Sequence, residues 1–189
     1  IEKGNWIIPL WWDEYILDRT NGLQVLIAKS QEIFGKNLFA AYLPTTIAAI
    51  IMLLITYKLH EEFFGKNHAI ISPLILSTTY LWFDYSHLAT QDLIYSCLVT
   101  IGIFSLVKIK KNENNFYILL FGIWIGLAFM LKTFLVAVPL LALLPFLFKK
   151  RIFVFTKFFW IGLIIGFIPY LLWAFYMNSY LEENIIFHL

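Results

Sequence analysis

The sequence predicts an all-α, polytopic membrane protein, and three observations predict it. Hydrophobic residues make up 61% of the chain and charged residues 14%, against about 45–50% and about 25% in soluble domains. Several apolar stretches approach or exceed about 18 residues with few charges, the length of a membrane-crossing helix. One of them, residues 116–148, holds a single charge, Lys132. A membrane β-barrel would show short alternating segments instead. The expected architecture is about six transmembrane or half-membrane helices with one amphipathic interfacial helix on the outer face. Residues 1–38 form an outer juxtamembrane segment, and residues 39–189 a partial transmembrane domain.

Residues 1–38 are not a span. Trp6, Trp11, Trp12 and Tyr15 suit a membrane–water interface. Asp18-Arg19-Thr20-Asn21-Gly22 is a turn-forming stretch. Residues 23–34 put Leu23, Leu26, Ile27, Ile33 and Phe34 on one helical face and Gln24, Lys29, Gln31 and Glu32 on the other. That pattern describes a helix lying on a leaflet.

Spans are expected at residues 39–58, 69–85, 91–108, 116–131, 134–148 and 158–178. The fourth and fifth are short: at about 1.5 Å per residue a span of about 16 residues reaches about 24 Å, against a hydrocarbon core of about 30 Å. They read either as a hairpin that does not fully cross or as a crossing pair in a locally thinned bilayer. Lys132 marks the turn between them, and Pro139 and Pro145 bend the second arm. The chain opens on Ile1 inside a polar, aromatic-rich stretch. It reads as a fragment of a longer protein, although a trimmed chain would look the same.

Lysine and arginine set the orientation. The linkers at 58–68, 108–115 and 149–157 carry nine basic residues, Lys58, Lys66, Lys108, Lys110, Lys111, Lys149, Lys150, Arg151 and Lys157, against three acidic ones, Glu61, Glu62 and Glu113. They are assigned to the cytoplasmic side. The segments 1–38, 84–92, 132–133 and 179–189 then share the outer side, with nine acidic and five basic residues. Positive-inside selection explains the lysines but not Asp92 and Lys132, which stand at or inside span ends.

An ionisable residue in an apolar run is costly and marks function by default. Asp92 follows Thr90-Gln91, which also fits a helix N-terminus where an acid complements the dipole. Arg19 can clamp a phosphate with its bidentate fork, or pair with lipid headgroups or Asp18. Cys97, the single cysteine, reads as a small core residue and excludes an internal disulfide. Zinc-site Cys/His spacing is absent.

Several motifs recur in a fixed order: Trp6 and Pro9, a basic turn, an amphipathic helix ending in Phe34-Gly35, Leu43-Pro44 opening a span, Asp92 opening a later span, and Gly126-Leu127-Ala128-Phe129-Met130-Leu131-Lys132. In that order they resemble the membrane glycosyltransferases of the GT-C type, in the bacterial protein-mannosyltransferase-like branch that includes lipid A aminoarabinose transferases. The resemblance covers nearly the whole chain. It implies transfer of a sugar from a polyprenyl-phosphate donor to a lipid, glycan or protein acceptor, with the site on the outer, periplasmic face of the inner membrane and no nucleic-acid partner. The family's acidic pair would precede Ile1, so the segment by itself is expected to be inactive. Asp13-Glu14 falls after that position and does not take its role. Arg19-Thr20-Asn21 stands where the family has Lys-Pro-Pro, and Lys132-Thr133 where it has Lys-Gly.

The implied chemistry needs cations at the departing phosphate and a carboxylate for the acceptor hydroxyl. Lys132, Arg19 and His87 are the phosphate candidates, and Asp92 is the supporting acid or a ligand to an assisting divalent metal. The bland alternatives are a snorkelling lysine for Lys132, an interfacial histidine for His87, a helix cap for Asp84, and a solvated face for Glu182 and Glu183. A transporter or flippase for a lipid-linked or anionic substrate is the competing function, since such proteins build sites from broken helices. A non-catalytic scaffold would not need Asp92 and Lys132.

Overall fold

Capping residues and uninterrupted apolar stretches set the helices. The computed structural model describes residues 10, 11, 14, 15, 21–112, 114–149 and 154–181. Ahead of the helices, Leu10–Trp11 (β1) and Glu14–Tyr15 (β2) pair as a two-residue antiparallel ladder. The amphipathic segment forms α1, Gly22–Phe34, with Leu23 and Ala28 buried and Ile33 and Phe34 exposed. It stops at Gly35, whose φ of 85° is open to glycine. Asn37 then caps α2, Leu38–Phe64, accepting from the Ala40 amide at 2.8 Å.

The expected span at residues 69–85 is not one helix. A 3-10 turn at Lys66–His68 leads into α3, Ile71–Thr78, and then α4, Tyr80–Ser86, with extended backbone at Thr79 between them. The cause is local. The hydroxyls of Ser77, Thr78 and Thr79 donate back to the carbonyls of Leu74 and Ile75 at 2.9 to 3.2 Å. Such bonds offer the backbone an alternative to the helical ladder.

The remaining helices follow expectation closely. They are α5, Gln91–Asn112; α6, Asn115–Lys132; α7, Ala137–Lys149; and α8, Lys157–Leu181. Asn114 caps α6 by accepting from the Phe116 amide at 2.9 Å. Among the described residues, four helical stretches are long and apolar enough to cross a membrane: Leu38–Phe64, Gln91–Lys111, Asn115–Phe148 and Lys157–Ser179.

The third stretch doubles back. After α6, a 3-10 turn at Thr133–Val136 brings Leu135 against Tyr95 near the start of α5. Farther on, Phe146 of α7 stacks with Lys110 near the end of α5. Thus α7 runs parallel to α5 and antiparallel to α6, the hairpin expected around Lys132. At 18 residues, α6 is about 27 Å long, nearly the hydrocarbon thickness.

Glycines set the tightest packing, between α6 and α8. A Cβ on Gly126 would lie 2.2 Å from the Gly166 backbone, and one on Gly162 would lie 2.2 Å from the Leu119 carbonyl oxygen. Small residues at four-residue spacing let membrane helices approach backbone to backbone, where dispersion drives association. Phe129 extends the contact onto Phe167 and Tyr170. On another side of α6, Gly102 of α5 makes room for the buried Trp124 ring. At the opposite end of the bundle from Lys132, Glu62 of α2 pairs with Lys108 and Lys111 of α5.

Candidate active site

Two helix ends build the centre of the site. Asp92 lies in the first turn of α5 and Lys132 in the last turn of α6. Antiparallel packing of these helices brings the two ends together, and Lys132 Nζ donates to Asp92 Oδ1 at 2.7 Å. Each charge complements the dipole of its own helix, worth about 0.3–1 kcal/mol. The side chains are 27% and 53% exposed. A pair so open to water adds roughly 0–1 kcal/mol to stability. Its value therefore lies in presenting an oriented ammonium.

The backbone after Lys132 is strained. Thr133 has φ 46° and ψ −117°, a conformation open to glycine and costly for a β-branched residue. Tyr95, one turn along α5 from Asp92, holds the bend by donating from its hydroxyl to the Leu135 carbonyl at 2.9 Å. The start of α1 closes another side: a Cβ on Gly22 would meet Leu131 Cδ2 at 2.9 Å. The N-terminal end of α1 thus abuts the residue preceding Lys132.

Two cavities lie along this end of α5, one of them lined by Asp92. One, of about 360 Å3, is lined by Asp92 and Ser96 of α5, Trp82 and Tyr85 of α4, and Thr79 at the helix break. The other, of about 410 Å3, lies between Tyr95, Ser96 and Thr100 of α5 and Leu135, Val138 and Pro139. Met52 and Ser96 line both. The pair offers an ammonium to an anionic group, and Leu135, Val138 and Pro139 of the second cavity suit a hydrocarbon chain.

Other sequence candidates lie elsewhere. Arg19, Asp13, Asp18, Glu182 and Glu183 fall outside the described residues. His87 is bound to the end of α4: its Nδ1 lies 2.8 Å from the Phe83 carbonyl and 3.0 Å from Ser86 Oγ, and its ring packs on Phe83. It does not line the cavity that Asp92 lines. Asp84 is exposed on α4. Among the described residues, no three His, Cys, Asp or Glu side chains converge as metal ligands. The neighbour of Asp92 is an ammonium, which competes with a bound cation, so the described residues alone do not fit a divalent ion.

Sequence reasoning missed Tyr95, Ser96, Trp82 and Tyr85. A signal for part of them exists. Asp92, Ser96 and Thr100 recur every four residues along α5, a polar stripe on one face of an apolar helix.

Known proteins share the sequence pattern and the fold of this chain. The sequence profile of the dolichyl-phosphate-mannose-protein mannosyltransferases matches residues 18–175. An undecaprenyl phosphate-alpha-4-amino-4-deoxy-L-arabinose arabinosyl transferase of Photorhabdus laumondii is 28% identical over 159 residues, covering 80% of this chain and 29% of the relative. One from Enterobacter sp. (strain 638) is 27% identical over 161 residues, covering 80% and 28%. The chain therefore spans under a third of the length of these relatives. In fold, it is similar to crystal structures of ArnT from Cupriavidus metallidurans, in the apo state and bound to undecaprenyl phosphate. Both superpose with a TM-score of 0.83 at 14% identity, over 97% of this chain and about 35% of ArnT.

Proposed function

The chain belongs to the dolichyl-phosphate-mannose-protein mannosyltransferase family, and on that premise we propose that it is part of a membrane glycosyltransferase. The whole enzyme takes a sugar from a polyprenyl-phosphate donor and passes it to a lipid, glycan or protein acceptor. The reaction takes place at the outer, periplasmic face of the inner membrane. The observation that carries this reading is the Lys132 ammonium held 2.7 Å from Asp92, a residue that itself lines a cavity.

In the proposed reaction, the acceptor oxygen bonds to the anomeric carbon of the donor sugar. The bond from that carbon to the phosphate oxygen breaks, and polyprenyl phosphate leaves as an anion. The acceptor proton passes to a carboxylate. Negative charge grows on the phosphate, where a fixed cation lowers the barrier. Lys132 supplies that cation. Asp92 is engaged by the ammonium, which suits it to positioning Lys132. Leu135, Val138 and Pro139 offer an apolar wall to the first prenyl units. Arg19 precedes Gly22 by three residues, and Gly22 packs on Leu131; a second phosphate cation from that segment completes the reading. A divalent ion at Asp92 would need further ligands from outside the described residues, and the proposed reaction does not call on His87, whose Nδ1 is bound to α4.

The flippase alternative places its substrate site at the membrane midplane. The Lys132–Asp92 pair lies instead at the first turn of α5, at the end of the span.

The test uses the full-length protein in membranes with undecaprenyl-phosphate sugars. Lys132→Ala should lower transfer about 100-fold, the usual loss of one oriented transition-state donor. Asp92→Asn should lower it about tenfold, with substrate binding largely retained. Full activity in both variants would overturn the assignment.

A further inference from the structure

We propose that Trp82 and Tyr85 form the wall that recognises the sugar of the lipid-linked donor, an assignment that rests on the glycosyltransferase reading above. In such a donor the sugar ring hangs from the phosphate by one oxygen. A phosphate at Lys132 therefore delivers its sugar next to Asp92, whose carboxylate lies 2.7 Å from the ammonium. Asp92 lines the cavity of about 360 Å3 together with Trp82 and Tyr85.

The two aromatic residues stand three apart on α4 and so share one face of the helix. Both are half-buried and line the cavity. An aromatic face carries negative charge density, and the C–H edges of a sugar ring are electropositive, so the two stack. The hydroxyls of a sugar need partners at the rim, and the Asp92 carboxylate, Ser96 and Thr79 line the same space. A lipid tail would use none of these polar groups. The volume stands at the lower end of small-ligand sites, roughly 300–1,000 Å3, which suits one sugar ring.

The broken helix supports a polar occupant. Non-helical backbone at membrane depth persists only where it is buried in protein or lines a wet cavity. Thr79 interrupts the helix and lines this cavity. The interruption turns Trp82 and Tyr85 into a separate short helix beside Asp92.

The experiment measures binding of lipids to the full-length protein in nanodiscs. The probes are undecaprenyl phosphate alone and undecaprenyl phosphate carrying 4-amino-4-deoxy-L-arabinose or mannose. Wild type should bind one of the sugar-bearing lipids about tenfold tighter than the bare lipid. Trp82→Leu and Tyr85→Leu should abolish that preference while changing the affinity for bare undecaprenyl phosphate less than about twofold. Trp82→Phe, which keeps an aromatic face, should retain most of the preference; this variant also serves should Trp82→Leu fail to fold. Lys132→Ala should weaken all the lipids alike. A preference that survives both leucine variants, or no preference in wild type, overturns the sugar wall and leaves the glycosyltransferase reading standing. Wild type that binds none of the lipids overturns both.

Discussion

Thr133 bears the strain of the site. Its φ of 46° holds a β-branched residue in a conformation that favours glycine. Such strain costs about 1–3 kcal/mol, and glycine loses about 0.5–1 kcal/mol through its unfolded-state freedom. Thr133→Gly should therefore raise stability by about 1 kcal/mol net. Thermal unfolding of the purified full-length protein measures it, and a lowered midpoint would show that this backbone is unstrained. At the same scale, Asp92 and Lys132 stood out in the sequence because a charge in an apolar run is expensive. Their contact did not, since 40 residues separate them. The sequence did not single out Tyr95, and only the folded chain shows its hydroxyl meeting the Leu135 carbonyl. His87 was a fair candidate by its place in the sequence, yet its ring bonds locally at the end of α4.

At the scale of elements, the α6–α8 contact is the one that tolerates least. Gly162→Ala puts a methyl 2.2 Å from the Leu119 carbonyl oxygen, and Gly126→Ala puts one 2.2 Å from the Gly166 backbone. Backbone cannot step aside as a side chain can, so each change should cost about 1–3 kcal/mol. Unfolding midpoints of the two variants check this, and wild-type values would mean the helices lie farther apart. The helices themselves were largely legible. Residues 91–108 and 158–178 became Gln91–Asn112 and Lys157–Leu181, because long apolar runs leave the backbone no partner but itself. Residues 69–85 misled because hydropathy is blind to Ser77, Thr78 and Thr79 bonding back to their own backbone.

Across the whole molecule, α5 and α6 carry the site at one end, while Glu62 with Lys108 and Lys111 ties α2 to α5 at the other. The lysine-rich linkers predict that this second end faces the cytoplasm. With other accessible cysteines removed, Leu88→Cys should react with an impermeant maleimide in intact cells. Lys66→Cys, at a position with an 82% exposed side chain, should react only after the membrane is opened. The reverse pattern would put Lys132 on the cytoplasmic side and end the case for an outer-face reaction. By itself, the sequence determined where most of the chain enters the membrane, and its lysine count predicts which way the chain faces. Both follow from transfer free energies and charge counts summed over neighbouring residues. Only the tertiary structure decided that Asp92 meets Lys132, that Thr133 is forced to a positive φ, and that Trp82 and Tyr85 line one cavity with Asp92. Those outcomes depend on glycine-matched surfaces and helix ends far apart in the chain, whose fit no local sum contains.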